Sequence, residues 1–529
     1  MIDRVMVIGN GACAHRIASL LLTRGQGVIH VTREDRFSAP DTASPDLKAL
    51  ERLTNTTIDR CEGHTGAFRI TATRNQTCLQ RTAAAVIIAE EPVRQSNIER
   101  YGLSCCPSVY SVSQISNRTQ DSIGKANGFG DRLQDKRIAF LIGLHREAHP
   151  ACFAETLKAA HRLQSAGCRT CILSKNLKVA GNGLEAGVRD YKKAGGIVFK
   201  FSGQLPRFIT ANGHPAEIEF TDEVTREAQL LHPDIVVVDE TLCPSPYLER
   251  LGRIFALDTD GQGYLQTGNV HRLSVMTNRR GILAAGPSRS IQTEEQEEAD
   301  AGAAAITALS PAASRMIEET DAKAEIDSSR CVRCLTCFRL CPHRAVSVAA
   351  RVTVAPEACE GCGICTSECP RGAIRIAHPD QSEITESISR SAAGMRGVEN
   401  APFLVAFCCS KSAAMAAEQA AAAGRSLPEN LQTISVPCAG SISMDLILTS
   451  FRLGARGVLV LTCHEGNCRS ERGNRFAGER AARVSSILSE IGMEKERIGI
   501  DSLAANMGAD FARRVRLFEQ RIKALNTER

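Results

Sequence analysis

Hydrophobic and polar positions along the chain alternate between two periods, and the switch between them marks out wound α/β folding. Val5-Met6-Val7-Ile8-Gly9 reads as a buried strand, and apolar positions then recur at helical spacing as far as Leu22. A second strand, VIHVT, ends at Thr32, so the chain opens as a βαβ unit. Residues 66–90 read as hairpin strands ending in the buried run AAAVIIA. A second α/β stretch begins with IAFLIG at 138–143. It continues through helices near 152–166 and 183–194 and strands at 169–173 and 196–201. Strands at 216–220 and 235–238, and GILAAG at 281–286, are expected to return the chain to the first sheet. Residues 287–330 read as a helix and a linker, and 378–401 as a polar connector. From residue 402, strand and helix alternate four times, the pattern of a parallel wound sheet.

Length and charge narrow this only slightly. A chain of 529 residues implies three or four domains. A net charge of +5 over that length does not by itself imply nucleic acid or membrane binding. No run approaches 18 apolar residues, and the start lacks the regions of a signal peptide. The expected location is the cytoplasm, with no direct membrane span and no nucleic-acid partner.

The 22 cysteines change the picture. Nine are scattered, at 13, 61, 78, 105, 106, 152, 168, 171 and 243, and read as small buried hydrophobes. The other thirteen follow residue 330 in tight clusters, which in a reducing compartment point to metal sites. Cys331, Cys334, Cys337 and Cys341-Pro342 form CxxCxxCxxxCP, and Cys359, Cys362, Cys365 and Cys369-Pro370 repeat it. Four thiolates hold each 4Fe–4S cube; one loop wraps three corners and the other motif supplies the fourth. That assigns Cys331, Cys334, Cys337 and Cys369 to one cluster, and Cys341, Cys359, Cys362 and Cys365 to the other. Gly361 and Gly363 let the backbone turn around the cube. Arg330, Arg333, Arg339, His343 and Arg344 surround the first motif, either as a docking rim for an acidic partner or as a solvated surface. The module, 325–377, matches the α+β fold of two-cluster bacterial ferredoxins.

Five more cysteines, Cys408, Cys409, Cys438, Cys463 and Cys468, fall at or just after strand ends in the last domain. In a parallel wound sheet the carboxyl ends of strands share one edge, so the fold itself would gather these thiols. Four thiolates suit either 2Fe–2S or tetrahedral zinc. His464 is either a ligand or a neighbouring donor.

The segments FCCS (407–410), VPCAG (436–440), FRLGARGVLVLTCHEGNC (451–468) and GN (473–474) resemble the delta subunit of methyl-viologen-reducing hydrogenase across 402–525. That resemblance implies a 2Fe–2S cluster on Cys409, Cys438, Cys463 and Cys468. Where the family has a second cysteine this chain has Ser412, and Cys408 is an adjacent substitute.

At the other end, Gly9-Asn10-Gly11-Ala12-Cys13-Ala14 is GxGxxA between strand and helix, a turn that lets a pyrophosphate sit on a helix N-terminus. Four further segments join it: NTTIDRCEGHTGAFRI (55–70), AAAVIIAEEPVRQSNIERYG (83–102), NLKVAGNGLEAGVRDYKKAGGIVF (176–199) and GILAAGPSRSIQTEEQEEADAGAAA (281–305). Together they make the region 1–310 resemble the A-type flavoprotein subunit of heterodisulfide reductase. The resemblance implies a Rossmann-type FAD scaffold with a second α/β subdomain inserted at about 136–225. FAD would be held by Gly9, Gly11, Ala14 and Gly286. The departures are Thr32 in place of the ribose-binding acid, and Ala89-Glu90-Glu91 and Asp239-Glu240-Thr241 in place of cofactor-packing turns. Ile142-Gly143-Leu144-His145 is not a second glycine-rich loop, so NAD(P)H use is not indicated.

The reading is thus an electron-transfer oxidoreductase subunit of anaerobic metabolism, relaying electrons among FAD, two 4Fe–4S clusters and a 2Fe–2S cluster. Its implied partners are heterodisulfide reductase-like, hydrogenase, formate dehydrogenase or quinone-linked proteins. The alternative is a non-catalytic iron-sulfur adaptor with a degenerate flavin site.

Overall fold

The computed structural model describes residues 4–38, 49–120, 133–179, 181–211, 214–265, 269–309, 323–376, 381–394 and 402–527. Parts of the linker before the ferredoxin module and of the connector after it lie outside the described residues. The chain divides into two compact units, one of residues 1–88, 250–284 and 302–529, the other of 89–249 and 285–301.

In the first unit a five-stranded parallel sheet runs in the order Ile282–Ala284, Ala85–Ile88, Val5–Ile8, Val28–Val31, Leu50–Leu53. Val5–Ile8 is buried along its whole length, as a strand covered on both faces requires. The helix Ala12–Leu22 follows directly. Three antiparallel strands, Thr56–Glu62, Phe68–Arg74 and Thr77–Ala83, form a separate sheet. In the middle one Phe68, Ile70 and Ala72 are buried while Arg69 is exposed, the alternation of a half-buried strand.

The ferredoxin module is built from two antiparallel pairs, Ala324–Ile326 with Ile374–Ile376 and Val346–Val348 with Val352–Val354. Each motif adds one short helix, Thr336–Leu340 or Ile364–Ser367. The C-terminal sheet is parallel, in the order Leu431–Val436, Leu404–Cys409, Gly457–Thr462, Ile498–Ser502. Its helices are Ala413–Ala422, Met444–Arg452, Gly473–Glu490 and Gly508–Thr527, and Gln381–Gly394 adds a further helix within the stretch read as connector.

The second unit has its own parallel sheet, in the order Ile197–Lys200, Arg169–Ser174, Arg137–Ile142, Ile235–Val238, Val109–Ser111. It also holds an antiparallel sheet of Arg207–Ala211, His214–Thr221 and Ala228–Leu231. Two expectations are corrected here. Ile235–Val238 pairs with Arg137–Ile142, and His214–Thr221 belongs to the antiparallel sheet; only Ile282–Ala284 rejoins the first sheet. The second unit is accordingly wider than 136–225. The physical reason is that a fully apolar strand such as IVVV satisfies any doubly covered position, so its composition does not name its sheet.

Candidate iron-sulfur centres

Each ferredoxin motif turns at matching positions. Arg333 and Leu335 in the first have positive φ (54° and 61°), as do Gly361 and Gly363 in the second (62° and 76°). Arg344 and Gly372, three residues past the last cysteine of each motif, repeat the match (52° and 54°). These turns gather Cys331, Cys334, Cys337 and Cys369 around one small cavity walled by Ile326 and Val352. Cys341, Cys359, Cys362 and Cys365 line a second, walled by Ala324 and Val354. Backbone amides point at the sulfurs: Ala345 N–H donates to Cys341 Sγ at 3.4 Å and Ala373 N–H to Cys369 Sγ at 3.2 Å. Such bonds favour the charged sulfur and raise a cluster's potential. Cys334 is exposed, beside Arg330, Arg333 and Arg339 on the surface. His343 is not part of that rim; it is buried, with Nδ1 3.3 Å from the Asn278 carbonyl. Burial lowers its pKa.

The four C-terminal thiols meet at one sheet edge. Cys409 closes the strand Leu404–Cys409, Cys463 follows Gly457–Thr462, Cys438 follows Leu431–Val436, and Cys468 sits in the turn before the helix Gly473–Glu490. Cys409 Sγ lies 3.4 Å from Cys463 Sγ, and all four side chains are buried. Bonds from Cys438 and then Cys463 lower the pKa of Cys409, and the same two lower that of Cys468. The same contacts raise the pKa of Cys438 and Cys463, so the four thiols form one interacting ring. Backbone N–H groups of Lys411, and of Asn474 and Ser470, add donors to Cys409 and Cys468 respectively. Ser412 donates its hydroxyl to Cys463 Sγ at 3.5 Å. Among the described residues no group of three or more His, Cys, Asp or Glu is arranged to hold a single metal ion.

Cys408 is no substitute for Cys409. Adjacent strand residues face opposite ways, and Cys408 packs in the core under Ala413–Ala422 and Gly508–Thr527, whereas Cys409 packs on the side of Met444–Arg452 and Gly473–Glu490. His464 turns its Nδ1 to Ser502 Oγ at 2.8 Å. Of the scattered cysteines, Cys13, Cys152 and Cys168 are buried, but Cys78 and Cys105 are exposed, so the buried-hydrophobe reading fails for those two.

The second ferredoxin cavity and the C-terminal thiols share a wall. Buried Ser470 lies beside both Cys362 and Cys468. Ser367 Oγ donates to Gly440 O at 2.9 Å, and buried Arg480 reaches Glu368 at 2.7 Å, Gly440 O at 2.7 Å and Ile442 O at 2.9 Å. A Cβ at Gly363 would stand 2.5 Å from Ser441 Cβ, so glycine is what lets the two domains close up there.

At the amino-terminal turn, Gly9 has φ 142° and Gly11 caps the helix without a side-chain bond. The first turn of that helix carries no acidic residue, which suits an anion. Ala14 is buried against the sheet. The neighbouring loop is tied down across this turn: Asn10 donates to Glu34 and to Arg36 O, and accepts from Ser38 N–H at 2.9 Å. Thr32 is buried and accepts from Glu34 N–H. The turn fits a pyrophosphate, while the position for a ribose carboxylate holds a threonine. In the second unit, Gly286 N–H donates to Asp300 at 3.1 Å. The Gly143 and Leu144 amides, which a nucleotide loop would present, already donate to Asp239 at 2.8 Å and to Tyr101 Oη at 3.2 Å. Glu240 accepts from Ser113 N–H and hydroxyl.

Comparison with known proteins follows this division. Residues 404–526 match the family "Methyl-viologen-reducing hydrogenase, delta subunit". Over 124 residues the chain is 31% identical to the D-type iron-sulfur subunit of the F420-non-reducing hydrogenase of Archaeoglobus profundus, spanning 90% of it and 23% of this chain. Through this domain the chain belongs to the delta-subunit family. Upstream of the delta-subunit domain, residues 324–347 and 352–375 match the 4Fe–4S binding domain. The N-terminal part matches the A-type subunit of the ferredoxin:CoB-CoM heterodisulfide reductase of Methanosarcina mazei, at 25% identity over 293 residues. That alignment takes in 55% of this chain and 37% of the relative, so the chain spans only about a third of that protein. The crystal structure of Lactococcus lactis thioredoxin reductase overlaps 58% of this chain and 98% of its own, at 15% identity and a TM-score of 0.38.

Two residues that matter in and around the delta-subunit domain carry no sequence signal of their own, and a third carries only a weak one. Ser470 and Arg480 look like surface polar residues until the ferredoxin module is set against them. Gly473 was legible only as half of the GN pair; a Cβ there would fall on Cys438 Sγ.

Proposed function

We propose that the chain is an electron-relay subunit, with two 4Fe–4S clusters on the ferredoxin cysteines and a 2Fe–2S cluster on Cys409, Cys438, Cys463 and Cys468. The observation that carries this is the close packing of Gly363 on Ser441, which sets the second ferredoxin motif directly against the delta-subunit domain. It orders the relay: the delta-subunit cluster exchanges electrons with the cluster on Cys341, Cys359, Cys362 and Cys365. The cluster on Cys331, Cys334, Cys337 and Cys369, with exposed Cys334, is the outer member. FAD, when bound, would supply the step between two-electron and one-electron chemistry. Gly9, Gly11 and Ala14 would hold its pyrophosphate. The partners are other redox subunits of the heterodisulfide reductase or hydrogenase kind, and the chain acts as an oxidoreductase component among them.

Anaerobically reconstituted protein should contain about ten irons per chain, from two four-iron clusters and one two-iron cluster. About eight irons with stoichiometric zinc would sink the 2Fe–2S assignment. A second reading, an iron-sulfur adaptor without flavin, is favoured by Thr32 and by the bonds that tie Glu34 and Ser38 to Asn10. Acid release separates the two: free flavin in the supernatant supports the relay with FAD, and its absence from protein reconstituted with FAD supports the adaptor.

A further inference from the structure

The first parallel sheet has a cavity of about 1370 Å³ at the edge opposite its glycine-rich turn. Arg4, Gly27 and Ala84, which precede the strands Val5–Ile8, Val28–Val31 and Ala85–Ile88, line it, and so do residues 344–348 of the ferredoxin module. Six arginines face it: Arg4, Arg60, Arg69, Arg81, Arg279 and Arg344. Four of them have carboxylate partners. Arg60 and Arg69 share Glu62 at 2.6 and 3.9 Å, and Arg4 and Arg81 share Glu51 at 2.8 and 2.6 Å. Arg279 and Arg344 have none among the described residues.

Arg279 is the telling member. It is 6% exposed, and its guanidinium donates to Phe255 O at 2.7 Å and Gly63 O at 3.2 Å and lies near the Cys61 sulfur. Burial lowers its pKa, and the nearby Arg344 charge lowers it further. A buried cation served by two carbonyls and the face of the Phe68 ring at 5.6 Å, with a second guanidinium beside it, is a charge the fold holds without a carboxylate partner among the described residues. The remaining wall is apolar, with Ile29, Ile254, Phe338 and Val346. Paired guanidinium forks match phosphate oxygens, and the apolar wall with this volume suits an organic body attached to them.

We propose that this cavity binds a small organic phosphate, its phosphate groups on Arg279 and Arg344 and its organic part against Ile29, Ile254 and Phe338. Ala345 and Val346 line both this cavity and the second cluster cavity. The bound anion therefore makes reduction of that cluster harder and lowers its potential.

The test uses the full chain, purified anaerobically at low salt, with ADP and inorganic pyrophosphate as probes in calorimetry. One ADP should bind per chain, more tightly than pyrophosphate, and Arg279→Met should weaken it by about tenfold or more. Arg69→Glu, at an exposed position, should weaken it less and leave the iron content unchanged, so a loss in Arg279→Met from misfolding would not stand alone. Redox titration should show ADP shifting one cluster to a more negative potential. The proposal is overturned if neither probe binds at millimolar concentration, or if pyrophosphate alone binds. It is also overturned if ADP binding is indifferent to both substitutions, which would place ADP on the glycine-rich turn instead.

Discussion

Gly473 opens the helix Gly473–Glu490 directly behind the C-terminal thiols, and replacing it by alanine is a one-atom test of where they sit. A Cβ there would lie 2.1 Å from Cys438 Sγ and 3.4 Å from Cys468 Sγ. Carbon and sulfur need roughly 3.5–4.0 Å, so one of them must yield by about 1.5 Å. The helix start is buried against Gly440, so the sulfur moves. Metal–ligand distances tolerate only about ±0.2 Å, and a ligand displaced this far is lost to the cluster. Anaerobic iron and sulfide analysis of Gly473→Ala should therefore fall from about ten irons per chain to about eight, with the ferredoxin signals intact by EPR. The control is Gly478→Ala, one turn on, where the Cβ meets only Ile500 at 3.5 Å. That change should keep all the iron and stabilise the domain by about 0.4–1 kcal/mol. Full iron and an unaltered 2Fe–2S spectrum in Gly473→Ala would refute the placement of Cys438 in the site.

Other outcomes follow from the same geometry. Cys408→Ala should retain every iron, because Cys408 faces the opposite core, whereas Cys409→Ala should lose the C-terminal cluster; iron analysis of the pair decides it. Arg480→Met leaves Glu368 and two carbonyls without their donor, and should cost about 2–4 kcal/mol in denaturant melts of the apoprotein. Glu297 is held up to about 8, by burial first and then by the charges of Glu91, Glu155 and Glu294. Its folded pKa exceeds the ordinary value of 4.5, so the folded chain binds the proton more tightly and loses stability as pH rises between those values. Thermal melts from pH 5 to 9 should fall less steeply for Glu297→Gln than for the parent, and equal slopes would contradict the assignment.

What the sequence could determine is what short covalent reach dictates. Two CxxCxxCxxxCP motifs can wrap cubes in only a few ways, and the structure gathers the eight sulfurs in the two groups that spacing implies. Strand ends in a wound sheet share an edge, so the convergence of Cys409, Cys438 and Cys463 was also readable from the alternation of elements. The scattered cysteines were less so, because burial of a single thiol depends on its neighbours rather than on its own chemistry.

Long-range packing decided the rest. Which of Cys408 and Cys409 enters the thiol ring depends on which face of the sheet each helix covers, and alternation alone gives both answers equal standing. The sheet that takes Ile235–Val238 was settled by strand pairing across nearly a hundred residues. The ferredoxin turns are the sharpest case. Leu335 and Gly363 occupy the same left-handed position, at a cost of about 1–2 kcal/mol for the leucine, so the turn itself does not demand glycine. Glycine is demanded at 363 because Ser441 of the delta-subunit domain closes over it, and no spacing within the motif carries that information.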